Sequence, residues 1–113
     1  MDFKINKMMV SALIAQRLCR HGWRPAAGAA LATKTFQTAV GRRNAFVYLE
    51  DYGNESANYL LQGDYMSEGR NQLESHFVLL PKEASPDTIH EISTQFAVGA
   101  ESVISNTYAM KLA

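Results

Sequence analysis

Two runs of strand-forming residues flank a turn in the segment TKTFQTAVGRRNAFVYLEDY, which spans residues 33–52. Threonine, phenylalanine, valine and tyrosine are enriched in strands, whereas the glycine and asparagine of residues 41–44 are typical of a turn. Residues 45–52 alternate between two faces, with Phe46, Tyr48, Glu50 and Tyr52 on one and Ala45, Val47, Leu49 and Asp51 on the other. The pattern predicts an antiparallel hairpin.

Two further strands are predicted after the hairpin. The elements are a turn at 52–55, a strand at 57–62, a polar loop at 63–71 and a strand at 73–80. In the last of these, Ser75, Phe77 and Leu79 alternate with His76 and Val78. We expect the phenylalanines of the chain to lie in the core. Short connections favour an antiparallel meander, because parallel pairing requires a long crossover.

A helix is predicted before the hairpin, over residues 4–21, because apolar residues recur there at steps of three and four. Gly22 supplies a left-handed residue after the last turn, and Trp23 is placed to fold back onto Leu18 as in a Schellman motif. Residues 25–32 are rich in alanine and leave two alternatives open: a short helix that begins at Pro25, or a tight connection.

The C-terminal part of the chain carries the strongest helix signal. Ser85 is a cap, Pro86 suits the first helical position, and Asp87 puts an acid in the first turn. Apolar residues then keep a three-to-four period almost to the C-terminus. Gly99 is a poor helix former inside this pattern, and we expect it to permit a close approach to the sheet or to the first helix.

The predicted order is therefore helix, four strands, helix, and the fold class is α+β. We expect a two-layer sandwich in which an antiparallel four-stranded meander is flanked in sequence by an N-terminal and a C-terminal helix. A length of 113 residues fits a single domain over residues 1–113. If both helices cover one face of the sheet, the opposite face must contact solvent or a partner.

The charges divide the chain into two parts. Residues 1–43 contain eight lysines and arginines and one acid, a net charge of +7, whereas residues 44–113 contain three bases and ten acids, a net charge of −7. The neutral total hides this asymmetry, which indicates partner recognition more than chemistry. The alternative is that a compact fold neutralises these charges internally.

Several classes of protein are disfavoured by the sequence. Cys19 is the single cysteine, which excludes an internal disulfide and a multi-cysteine zinc site, and we expect it to be buried in the apolar stripe of the first helix. No apolar stretch approaches the ~20 residues that span a bilayer. The short apolar run after Lys7 lacks the cleavage site of a secretory signal. We expect a cytoplasmic protein without membrane association.

Catalytic and cofactor motifs are missing from the sequence, which carries no phosphate-binding glycine loop, metalloprotease helix or nucleophile elbow. Alternation places Glu74 and His76 on one face of the fourth strand, which would be the wet face of the sheet, and a loop acid could complete an acid–base site there. We expect no enzyme, no cofactor and no metal, and keep this pair as a second alternative.

Nucleic-acid binding is the first alternative. The cations Arg17, Arg20 and Arg24 cluster at the end of the first helix, and Arg42 and Arg43 occupy the hairpin turn. If the fold brings them together, they could neutralise about five phosphates, while the aromatic side chains of the sheet stack on bases. Acids among the sheet tyrosines and a pI near 6.8 argue against this interpretation.

The preferred prediction is a non-enzymatic protein-interaction module. Tyrosine and arginine are enriched at interface hot spots, and Tyr48, Tyr52 and Tyr59 would give a sheet face that character. We expect a small inhibitor or accessory factor, of phage or plasmid origin, that docks onto a host protein or a nucleoprotein complex. The opposite charges would orient such a partner, and they are equally compatible with a homodimer.

Overall fold

The computed structural model describes residues 7–38, 41–53, 55–67 and 72–107. Its elements are α1 (Lys7–Cys19), β1 (Arg24–Pro25), β2 (Ala32–Thr38), β3 (Gly41–Asp51), β4 (Asn58–Ser67), β5 (Gln72–Pro81) and α2 (Pro86–Thr107). The strands form one antiparallel sheet in the order β1-β2-β3-β4-β5. The α+β class, the meander and a helix on each side of it in sequence are therefore confirmed.

Over the described residues the sheet has five strands, so the predicted number of four is wrong. The additional strand, β1, pairs Arg24 with Thr33 and Pro25 with Ala32. Residues 26–31 then turn back toward β2 without forming a helix. Gly22, at φ +87°, ends α1 and redirects the chain, and the Trp23 amide donates to the Leu18 carbonyl at 3.1 Å, as expected for a Schellman-type end.

The predicted turn at residues 41–44 is wrong, because these residues belong to β3. Gly41, Arg42 and Arg43 pair with Thr38, Gln37 and Phe36 of β2. The ladder satisfies their backbone groups, which outweighs the turn preference of glycine and asparagine. Residues 39 and 40, assigned to a strand by sequence, lie outside the described residues, as do residues 4–6 of the predicted first helix.

The predicted polar loop at residues 63–71 is wrong over its first part, because β4 continues to Ser67. Gly63 lies on the side of the sheet that faces the helices, and a Cβ there would be 2.8 Å from Phe96 Cζ. The glycine is thus a close-contact position inside a strand, which the sequence pattern assigns to a polar loop. Residues 68–71 lie outside the described residues.

One hydrophobic core joins both helices to one face of the sheet. The helices contribute Val10, Ile14, Leu18, Ile89, Phe96, Ala97, Ala100 and Ile104, and the strands contribute Ala32, Phe36, Ala45, Val47, Leu49, Tyr59, Leu61, Tyr65 and Leu80. Trp23 is buried at the end of α1, with its ring centroid 6.4 Å from Phe36 and 5.9 Å from Phe96. Cys19 is exposed, contrary to expectation, because it lies about 100° around the helix from the buried Leu18.

A candidate protein-binding face

The second face of the sheet is covered by neither helix. We call it the open face, and it is defined by the side chains that alternate with the core residues: Thr33, Thr35, Gln37, Arg42, Asn44, Phe46, Tyr48, Glu50, Asn58, Leu60, Gln62, Asp64, Met66, Ser75, Phe77, Leu79 and Pro81. All of them are partly or fully exposed. The predicted grouping of Phe46, Tyr48 and Glu50 on one face of β3 is confirmed.

Large apolar side chains lie on this face beside one another. Phe77 is 63% exposed and Leu79 57% exposed. Leu79 pairs with Leu60 on β4, and Phe77 pairs with Gln62, which pairs in turn with Tyr48. The expectation that the phenylalanines lie in the core holds for Phe36 and Phe96 and is wrong for Phe77. Grouped apolar exposure of this kind marks interaction surfaces.

A polar pair lies among these apolar residues. Gln62 Nε2 donates to Asp64 Oδ1 at 3.0 Å, and Asp64 lies opposite Phe46 on β3. The bond holds a carboxylate in a defined position near the middle of the open face. The open face therefore carries a positioned carboxylate beside its apolar side chains.

The three predicted tyrosines occupy three different environments. Tyr48 is half-buried on the open face. Tyr52 follows the end of β3 and is 68% exposed. Tyr59 is 6% exposed on the helix side, with Lys82 Nζ 5.4 Å from its ring centroid, so its placement on the same face as Tyr48 is wrong. The register that pairs Tyr59 with Asp51 determines this, and alternation within one strand does not reveal it.

The fold does not gather the predicted arginines at one point. Arg42 and Arg43 are consecutive in β3, so their side chains leave opposite faces of the sheet. Arg24 lies on β1 opposite Thr33, whereas Arg42 lies opposite Gln37, about 13 Å farther along β2. Arg17 is in the last turn of α1, and Arg20 follows it. The arginines are thus spread over two strands, the end of α1 and both faces of the sheet.

Opposite charges lie at opposite ends of β3. Arg42 is near its start and Glu50 near its end, about 27 Å apart along the strand. At the acidic end Asp51 Oδ1 accepts from Lys82 Nζ at 2.7 Å, and this hydrogen bond holds the pKa of Asp51 below its ordinary value. Lys34 Nζ lies 3.6 Å from Glu101 Oε1 and joins the basic and acidic parts of the chain. The charge asymmetry is thus spread along the sheet and partly neutralised within the fold.

His76 does not lie on the wet face, so the predicted exposed acid–base site is wrong in its location. Its ring stacks between those of Tyr65, at 5.6 Å, and Phe96, at 4.5 Å, on the helix side. The hydroxyl of Tyr65 is 2.7 Å from Nδ1, and Nε2 is shielded from solvent with no hydrogen-bond partner among the described residues. The side chain of Glu74 lies outside the described part of the chain.

The surroundings of His76 favour its neutral form. Burial lowers its pKa below the ordinary value, and the backbone carbonyl of Phe96 opposes this to a smaller degree. Gly63 and Gly99 make room for the ring, since a Cβ would lie 3.3 Å from His76 Cε1 at Gly63 and 3.3 Å from Nε2 at Gly99. The expected close approach of Gly99 to the sheet is confirmed. The imidazole ring therefore packs against aromatic side chains at the boundary of the hydrophobic core.

Comparison of the chain with known protein families, with curated proteins and with solved structures finds no match. Within the described residues, no three histidine, cysteine, aspartate or glutamate side chains are close enough together to hold a metal ion. Neither α1 nor α2, over the residues described, is both long and apolar enough to cross a bilayer.

Proposed function

We propose that this protein is a non-enzymatic interaction module that docks onto another protein through the open face of its sheet. The observation that carries the proposal is the exposure of Phe77 and Leu79 beside Leu60 on a face that neither helix covers. Burying such side chains contributes about 25 cal/mol for each Å² of apolar surface removed from water. Tyr48 adds an aromatic side chain with a polar tip, of the kind common at interface hot spots.

The partner should present an apolar surface flanked by two charged regions. An acidic region would lie toward Arg42 and a basic region toward Glu50, at the two ends of β3. Charges arranged in this way orient a partner and speed its association. We propose a small inhibitor or accessory factor of phage or plasmid origin that acts in the cytoplasm on a host protein or nucleoprotein complex. Small size and the lack of catalytic motifs support this part of the proposal.

Direct binding of nucleic acid is the weaker candidate. Phe46, Tyr48 and Phe77 would offer rings to bases, but Asp64 and Glu50 lie on the same face and would repel phosphates. Arg24 and Arg42 lie four residues apart along β2, so the basic charge is less concentrated than in one cluster. An acid–base reaction at His76 is weaker still, because its Nε2 is shielded.

An affinity capture with three baits tests the proposal. The baits are the wild type, Tyr48→Ala on the open face and Val98→Ala, a control at an exposed residue of α2. Extract from the source cells is used with and without nuclease treatment, and retained proteins are identified by mass spectrometry. We expect the wild type and Val98→Ala to retain the same proteins. We expect Tyr48→Ala not to retain them. Equal retention by all three baits, or retention that nuclease abolishes, would reject docking through this face.

A further inference from the structure

Strand β5 forms one edge of the sheet and is ten residues long. No strand of the described residues pairs with its outer side. The opposite edge, β1, is two residues long and contains Pro25, which has no amide hydrogen to offer. Short strands and prolines are devices by which proteins protect edges from unwanted pairing. The β5 edge has a proline only at its last residue, Pro81, so its middle part, residues 75–80, is not protected in this way.

The backbone groups that β5 turns outward can be identified. The Lys82 amide donates to the Ala57 carbonyl on the β4 side at 3.0 Å. Because residues of an antiparallel strand turn their N–H and C=O groups to alternate sides, His76, Val78 and Leu80 also face β4. The backbone groups of Ser75, Phe77 and Leu79 therefore point to the outer edge. These same residues carry exposed side chains of the open face.

The outer edge also lacks charge. Residues 75–81, SHFVLLP, contain no lysine, arginine, aspartate or glutamate. Lysines and inward-pointing charges are common ways of keeping edges apart, and none occurs here before Pro81. In a two-fold arrangement a charge near the axis would meet the same charge of the second copy. This segment can pair with itself without such repulsion.

We propose that two copies of the chain pair through the outer edges of β5, antiparallel, about a two-fold axis at Val78. Phe77 then pairs with Leu79 of the second copy, and the outward amide and carbonyl groups of these two residues form hydrogen bonds with each other. The two-fold axis repeats this pair on its other side. The two five-stranded sheets become one continuous sheet. Both open faces lie on the same side of it, so the surface available for docking is doubled.

The axis at Val78 is chosen because it brings apolar side chains together. Leu79 already lies beside Leu60 on the open face, and Phe77 of the second copy would extend this row. An axis at Phe77 would instead place Ser75 opposite Leu79 and would bring fewer apolar atoms into contact. Phe77 and Leu79 belong to both proposals, and their side chains stay on the open face when the edges pair. The two proposals are tested apart at Tyr48, which lies on the interior strand β3 and not at the seam.

The mass of the protein in solution tests the proposal. Sedimentation over a concentration series is measured for the wild type, Leu79→Lys and Val98→Lys; Leu79 is 57% exposed and Val98 56% exposed, which makes them a matched pair. We expect twice the chain mass of 12.5 kDa for the wild type and Val98→Lys, and the mass of one chain for Leu79→Lys. A wild type that sediments as one chain at 200 µM, or a Leu79→Lys dimer, would overturn the proposal.

A cross-linking experiment tests the register without disturbing the charge of the edge. In a Cys19→Ser background, Val78→Cys places two thiols at the axis, where the Cα atoms of a non-hydrogen-bonded pair lie about 4.5 Å apart. That separation suits a disulfide. Ser75→Cys is the control, because its two copies would lie about 20 Å apart. We expect rapid cross-linking of Val78→Cys alone. Equal cross-linking rates of the two cysteine variants would refute the pairing of two copies. So would a wild type that stays a single chain and pairs its β5 edge with a strand of another protein.

Discussion

The imidazole of His76 lies between two aromatic rings, where a positive charge would lose most of its hydration. Its Nδ1 lies 2.7 Å from the Tyr65 hydroxyl oxygen, and protonation would make both ring nitrogens donors in this enclosed site. The folded state thus binds a proton at His76 less readily than the unfolded chain does. The consequence is a dependence of stability on pH.

The free energy of unfolding should fall as the pH drops below about 6.5, the ordinary pKa of histidine in an unfolded chain. Below that pH the unfolded state takes up the proton first, and the stability is fully present only above it. Thermal unfolding at pH 7.5 and 5.5 measures the effect in the wild type and in His76→Gln. The loss at pH 5.5 should be smaller in His76→Gln. An equal loss in both would show that other groups cause it.

The two glycines beside His76 should differ in their tolerance of a methyl group. A Cβ at Gly63 would be 2.8 Å from Phe96 Cζ, within a packed core, whereas a Cβ at Gly99 would have His76 Nε2 as its nearest neighbour, at 3.3 Å. Gly63→Ala should therefore lower the free energy of unfolding by about 1–3 kcal/mol. In Gly99→Ala the gain in helix propensity, about 1 kcal/mol, offsets the contact. Urea unfolding of both variants decides this, and equal destabilisation would contradict it.

At the scale of elements, the end of α1 positions the first strand. Gly22 holds φ +87° and a Cβ there would be 3.4 Å from Lys34 Nζ, while Lys34 Nζ donates to the His21 carbonyl at 2.7 Å. This turn lets Trp23 enter the core and starts β1 at Arg24. It connects the helix layer to the edge of the sheet.

Gly22→Ala should destabilise the fold by about 1–2 kcal/mol, because a left-handed backbone is unfavourable for a residue with a Cβ. Gly28→Ala is a useful comparison, since Gly28 also has positive φ, +80°, but its Cβ would meet nothing within 4 Å. We expect both to be destabilised and Gly22→Ala to be the worse. Chemical unfolding followed by Trp23 fluorescence measures this. A more stable Gly22→Ala variant would contradict the assigned role of the turn.

The elements that sequence predicts well depend on local patterns. The period of α2, its capping residues and the alternation within β3 and β5 all follow from neighbouring residues. The faces of β5 do not, because both of its faces carry apolar residues, Phe77 and Leu79 on one and Val78 and Leu80 on the other. Only the pairing with β4 and the packing of the helices assign His76 to the inner face.

At the scale of the whole molecule, the sandwich is one-sided. Two helices bury one face of the sheet, and the other keeps Phe77 and Leu79 exposed, level with Tyr48 and Glu50 near the acidic end of β3. The candidate site was predicted in part, since Tyr48 and the unpaired face follow from alternation. The contribution of Phe77 and Leu79 could not be predicted, because exposure of apolar residues depends on which layers the fold provides.

The affinity of a captured partner for three forms of the protein tests the central claim most directly. Calorimetric titration is done with the wild type, Tyr48→Ala and Val98→Ala, each checked for native helix content. We predict that Tyr48→Ala weakens binding at least tenfold, equivalent to about 1.4 kcal/mol, and that Val98→Ala binds as the wild type does. If Tyr48→Ala binds with unchanged affinity, the open face is not the docking surface.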